Sequence, residues 1–173
     1  MDELNPYQAP AAPVSAVDGE SVHALADRGE RLAAVLIDAV ISIVVMLPVM
    51  FLAGYFDMVR ANADAGRILL PLGQILLWAA IGFLGFVLIQ GIPLQATGQT
   101  WGKRLLRIKI VDLAGTKPSL ATLIGKRYLP LHALANVPCL GSLLVLVDCL
   151  MIFRDDKRCL HDLVAGTRVV KAR

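Results

Sequence analysis

The sequence predicts an all-α membrane protein with four membrane-embedded helices and a small cytoplasmic β-element. Three observations predict it. Hydrophobic residues make up 57% of the 173-residue chain and the mean hydropathy is +0.66, against roughly 45–50% apolar residues in soluble domains. Two apolar runs, 32–56 with Asp38 as its interruption and 68–93 with no charge, are long enough for the ~30 Å hydrocarbon layer. The loop after the first run mixes Asp57, Arg60, Asp64 and Arg67, whereas Lys103, Arg104, Arg107, Lys109 and Lys117 crowd behind the second. Basic loops stay on the cytoplasmic side, so the amino terminus is expected inside, the first loop outside and the basic segment inside again.

Residues 1–26 carry Pro, Ala, Ser and Gly without a sustained period and are expected to be a disordered cytoplasmic tail, leaving 27–173 as the membrane domain. The first run begins too far along the chain and is too long for a cleaved signal segment, so it is expected to be retained. FDMVRANADAGR is read as a short polar loop before the second run. Behind that run, residues 105–112 alternate, with Ile108 and Ile110 on one face and Arg107 and Lys109 on the other, and 166–172 offer a second β-prone piece after Gly166. A lone strand leaves its backbone groups unpaired, so the two are expected to pair. The intervening 119–153 must then leave and return on one side. A turn cluster at 136–141 splits it into segments 119–136 and 141–153, both shorter than the ~20 residues of an upright span. The first carries Lys126, Arg127, Tyr128, Pro130 and His132 and reads as a tilted or interfacial helix with snorkelling cations.

Asp38 is the residue that composition does not explain, because an acid inside hydrocarbon needs a partner, a wet cavity or a raised pKa. Arg31 lies seven residues earlier on the same helical face but about 10 Å away along the axis, so the two cannot touch. Asp148 sits at a comparable depth in LLVLVDCLMIF. Two readings follow: the acids share a proton or cation in one layer, or each neutralises an arginine such as Arg31, Arg127 or Arg154. Other signals are poor. GQTWGKR has the wrong glycine spacing for a phosphate loop. Cys159 and His161 lack a second ligand pair, so no metal is expected. Cys139, Cys149 and Cys159 read as free thiols. No nucleophile and base pair, cofactor loop or nucleic-acid surface is evident, so neither an enzyme nor a cofactor is expected.

Three blocks, RLAAVLID at 31–38, GQTWGKRLLRIKIVDLAGTKPSL at 98–120 and RDDKRCLHDLVAGTRVV at 154–170, resemble the RDD family of small multi-span membrane proteins. The family is named for one arginine and two aspartates, and the resemblance assigns Arg31 and Asp38 as the first two. The literal string at 154–156 is a coincidence of letters. Asp162 is the preferred second aspartate and Asp148 the alternative. From the boundary, Asp162 could pair with Arg31 or Arg104 or accept from the turn at Gly166 and Thr167. The resemblance also marks Gly98, Gln99, Thr100, Gly102, Lys103, His161, Gly166 and Thr167 as positions of a cytoplasmic motif. It implies transport of unidentified ligands, some members resembling cation/proton antiporters. The sequence thus predicts a multi-pass inner-membrane protein with both termini cytoplasmic, a transporter or transport component. Its expected partners are the bilayer, anionic headgroups, and a homo-oligomer or membrane protein. The alternative is an accessory protein packing on another membrane protein.

Overall fold

The computed structural model describes residues 24–172. Two long helices organise them: α1, Arg28–Leu52, and α3, Leu72–Thr97. Their 25 and 26 residues extend about 38 Å at 1.5 Å per residue, enough to cross a bilayer's apolar layer. Leu36, Val40, Val44 and Phe51 on α1, and Leu84, Leu88 and Ile92 on α3, lie exposed on the protein surface. Such faces are stable only in an apolar environment.

The boundaries differ from the sequence reading at both runs. Glu30 accepts from the Asp27 N–H at 2.8 Å and starts α1 before the apolar residues begin. Gly54, at φ 74°, ends the first run early. The expected polar loop is a helix, α2, Tyr55–Asp64. Buried Asn62 secures it: its amide donates to Met58 O and Gln74 Oε1, both at 2.8 Å, and its oxygen accepts from Arg67 Nη1. Pro93 does not end α3, because the proline costs one backbone bond while the helix continues to Gly98, whose φ of 70° closes it.

The basic segment starts with a short helix rather than a strand: α4, Trp101–Leu105, capped by the Thr100 hydroxyl. It folds back along α1, the most extensive helix pairing in the fold. Strand β1, Ile108–Asp112, pairs antiparallel with β2, Thr167–Lys171, in the register Ile108 to Lys171 and Asp112 to Thr167. The expected pairing is therefore present, within narrower limits. Residues 1–23 of the expected tail lie outside the described residues, but 24–26 do not behave as a tail. Ala26 N donates to Val169 O at 3.1 Å, Lys171 N donates to Ala24 O at 2.9 Å, and Ala26 is buried. These residues use the free edge of β2, which would otherwise leave its backbone groups unpaired.

Between the strands, Thr122–Tyr128 forms a π-helix that continues into α5, Leu129–Ala135. After a turn at 136–140 come α6, Gly141–Leu150, and a 3₁₀ turn, Met151–Phe153. Each arm is about 20 Å long, so among the described residues two helices, not four, have the length of an upright span. The last helix, α7, is Leu160–Ala165, closed by Gly166. Ala26, Ala34, Leu94, Ile108, Ile110, Leu123 and Val169 form the core, so it lies where the sheet meets the ends of α1 and α3.

Candidate functional site

Two polar clusters flank that core, and the three aspartates singled out by the sequence divide between them. Asp38 is in the first. Its Oδ1 accepts from the Gly102 N–H at 2.8 Å and from Gln90 Nε2 at 3.0 Å, and its Oδ2 accepts from Thr100 Oγ1 at 2.5 Å. The GQTWGK segment folds back because Gly98 turns the chain at the end of α3. Gln90, fully buried, ties the two sides: its own oxygen accepts from Trp101 N at 3.0 Å. Gln99 donates to Ile108 O at 2.8 Å and fastens the segment to β1, and Lys103 is buried beside it on α4. Gly102 lies against the Ala34 carbonyl of α1, an approach that no side chain permits.

Asp162 centres the second cluster and is fully buried. One carboxylate oxygen pairs with Arg31 and accepts from Cys159 N at 3.2 Å; the other pairs with Arg127 and accepts from Thr167 Oγ1 at 3.3 Å. Arg31 also donates to Lys157 O, and Arg127 to Thr167 Oγ1 at 2.5 Å. Arg127 is not a snorkelling cation: only 1% of it is exposed, and the π-helix directs it inward. Its Nη2 lies 3.2 Å from His161 Nε2, while His161 Nδ1 lies 2.7 Å from Asp148 Oδ2. A guanidinium only donates, so Nε2 accepts, Nδ1 carries the proton to Asp148, and the ring is neutral. Asp148 also accepts from the His161 backbone N–H at 2.9 Å.

Several expectations are corrected by this geometry. Asp38 and Asp148 do not share a site, because each is held by donors of a different cluster. Asp38 has no ion-pair partner among the described residues, whereas Asp162 takes both Arg31 and Arg127. Arg154 pairs with half-buried Asp156, and Arg104 lies over the Trp101 ring, so neither pairs with Asp38, Asp148 or Asp162. Asp162 accepts from the Thr167 hydroxyl rather than from backbone groups at Gly166. Sequence reasoning missed Gln90, although a lone amide in an uncharged run was the available signal. It also missed the convergence of Asp148, Cys159 and His161.

Burial and the nearby Arg127 charge hold His161 below its ordinary 6.5, against the pull of Asp148. Burial pushes the Asp162 carboxyl up, but Arg127 and Arg31 outweigh it and hold it far below 3.8. Burial raises the Cys159 thiol to about 11. Below pH 6.5 the unfolded chain takes a proton that the buried imidazole refuses, so stability falls as pH drops from there. The Asp162 contribution is intact above 3.8 and is lost as pH falls further. Acid unfolding followed by circular dichroism in detergent should therefore begin below pH 6.5, and His161→Gln should remove that upper phase.

Comparison with known proteins identifies a family. The family model described as RDD family matches residues 25–166. The chain is also similar to Uncharacterized protein YckC of Bacillus subtilis (strain 168), 37% identical over 83 residues, 47% of this chain and 52% of that protein. The chain thus spans about half the length of the curated relative it matches. No solved structure matches. Since the family match runs from the residues before α1 through α7 and takes in Asp38, Asp148 and Asp162, the chain belongs to the RDD family, a membrane-associated family.

Proposed function

We propose that the protein is a membrane transport component in which Asp38 takes up a proton or a small monovalent cation. One contrast carries the reading. Asp162 is neutralised by two fixed guanidinium groups, whereas among the described residues Asp38 is held by neutral donors alone. A carboxylate next to hydrocarbon without a fixed countercharge is stabilised by acquiring one, and a mobile proton or cation supplies it. Gln90, Thr100 and Gly102 fix the oxygens without cancelling the charge. Asp162 and the arginines then serve as structural supports, and the role is not enzymatic.

In this reading α1 and α3 span the inner cell membrane and the two short arms form a re-entrant hairpin. Both termini and the sheet lie on the cytoplasmic side, with the basic residues toward anionic headgroups. Two long helices do not enclose a pathway alone, so the transporting unit is a homo-oligomer or a complex with another membrane protein. Asp38→Asn tests the proposal, because the amide preserves shape: its oxygen accepts from Gly102 and Gln90, and the Thr100 hydroxyl can turn to accept from its nitrogen. In proteoliposomes under proton or Na⁺ gradients, wild-type flux should fall to the protein-free rate in Asp38→Asn. Unchanged flux in a folded variant would sink the idea. The exposed apolar faces of α1 and α3 favour a second reading, an accessory subunit, which predicts no flux under any gradient and one stoichiometric membrane partner.

A further inference from the structure

Asp148 on α6, Cys159 at the start of α7 and His161 in its first turn place a carboxylate oxygen, a sulfur and a ring nitrogen within 4.8 Å of one another. A tetrahedral ion with bonds of about 2.0–2.3 Å separates such atoms by roughly 3.3–3.6 Å. His161 Nδ1 and Asp148 Oδ2 are now 2.7 Å apart, closer than that, and all three atoms lie within 4.8 Å of one another, so the ligands shift to take an ion. We propose that Asp148, Cys159 and His161 form a three-ligand site for a divalent transition ion of the Zn²⁺ class, with a fourth position open.

The donor set argues for that class of ion. Sulfur and imidazole ligands favour Zn²⁺ and its neighbours over Mg²⁺ or Ca²⁺, which take oxygen. The supports are already placed. The His161 backbone N–H holds Asp148 Oδ1 at 2.9 Å and leaves Oδ2 for the ion. Ligation through Nδ1 moves the ring proton to Nε2, and Asp162 Oδ2 lies 3.8 Å from that nitrogen, positioned to accept it as an outer carboxylate. Arg127 then turns Nη2 away from the ring and keeps Asp162 and Thr167 through Nη1. The ion displaces the thiol proton to solvent without a change of oxidation state. With the thiolate formed, Asp148, Asp162 and Cys159 balance Arg31, Arg127 and the half-buried Arg158, which donates to Asp162 O at 3.3 Å. Linear spacing conceals the site because Asp148 comes from another helix.

The test uses the full chain in detergent with Cys139→Ser and Cys149→Ser, so that Cys159 is the remaining thiol. Titration with Co²⁺ should give one equivalent per chain, with a thiolate-to-cobalt charge-transfer band that Zn²⁺ abolishes. Serine caps a helix at least as well as cysteine, so Cys159→Ser should keep α7 while losing the band. Loss of an outer-shell partner weakens metal binding by about 10–100-fold, so removing a ligand in Cys159→Ser or Asp148→Asn should cost at least that. A parent chain that binds Co²⁺ without the band, or does not retain it after desalting, overturns the proposal even if a variant fails to fold. So does an unchanged band in Cys159→Ser.

Discussion

Asp162→Asn should destabilise the protein more than any other single substitution considered, by about 3–5 kcal/mol, the cost of removing one partner from a buried ion pair. The substitution preserves shape but not charge. Arg31 and Arg127 remain buried as cations, and the new amide group presents donors to a guanidinium that can only donate. Folding stabilities are about 5–15 kcal/mol, so the variant should be marginal. In detergent, the midpoint of thermal unfolding followed by circular dichroism should fall by about 6–20 °C, since 1 kcal/mol is worth about 2–4 °C in a chain of this size. A midpoint within two degrees or so of wild type would refute the assignment of Asp162 as the node joining α1, the π-helix and α7. Arg31→Lys should show a smaller loss in the same assay. Arg31 donates to Asp162 and to Lys157 O through separate nitrogens, a fork that one ammonium does not reproduce.

Gly102→Ala should come next. A methyl group there would lie far inside van der Waals contact with the Ala34 carbonyl and 3.1 Å from Asp38 Cγ. The obstacle is helix backbone, so α4 must move away from α1. Overpacking costs about 1–3 kcal/mol. The displaced Gly102 N–H also abandons Asp38, and loss of a donor to a charged group adds about 1–3 kcal/mol. Gly125→Ala is the control, because nothing lies within 4 Å of the added carbon. Its unfolding midpoint should match or exceed that of wild type, while Gly102→Ala should lose stability together with whatever flux depends on Asp38. Equal midpoints for the two variants would show that α4 does not pack as closely on α1 as described.

How legible a feature was depended on the range over which its signal acts. Apolar runs register in any window of about 20 residues, so both long helices were evident, although their ends moved by a turn where Glu30, Gly54 and Gly98 acted. The alternation at 105–112 and the turn at Gly166 implied a strand pair, and the break at 136–141 was in place. Helix α4 was hidden because five residues cannot display a helical period. Helix α2 was hidden because its support, Gln74, lies across a turn on the next element. The edge contact of residues 24–26 has no local signature: any short segment can offer backbone groups to an unpaired strand.

The sequence by itself determined the class of the molecule, its two long apolar helices, the paired strands and the family to which it belongs, because hydropathy and motif spacing are properties of neighbours along the chain. It also marked Asp38, Asp148 and Asp162 as acids in want of partners and Arg31 as a candidate for one. Only the tertiary structure decided who those partners are. Gln90 lies 52 residues from Asp38, and Arg127 and Arg31 lie 35 and 131 residues from Asp162. A buried charge is stabilised by whichever donors the packing of helices brings within about 3 Å. Linear order constrains that outcome only through the fold, and so it was the fold that separated a carboxylate held by neutral donors from one neutralised by two arginines.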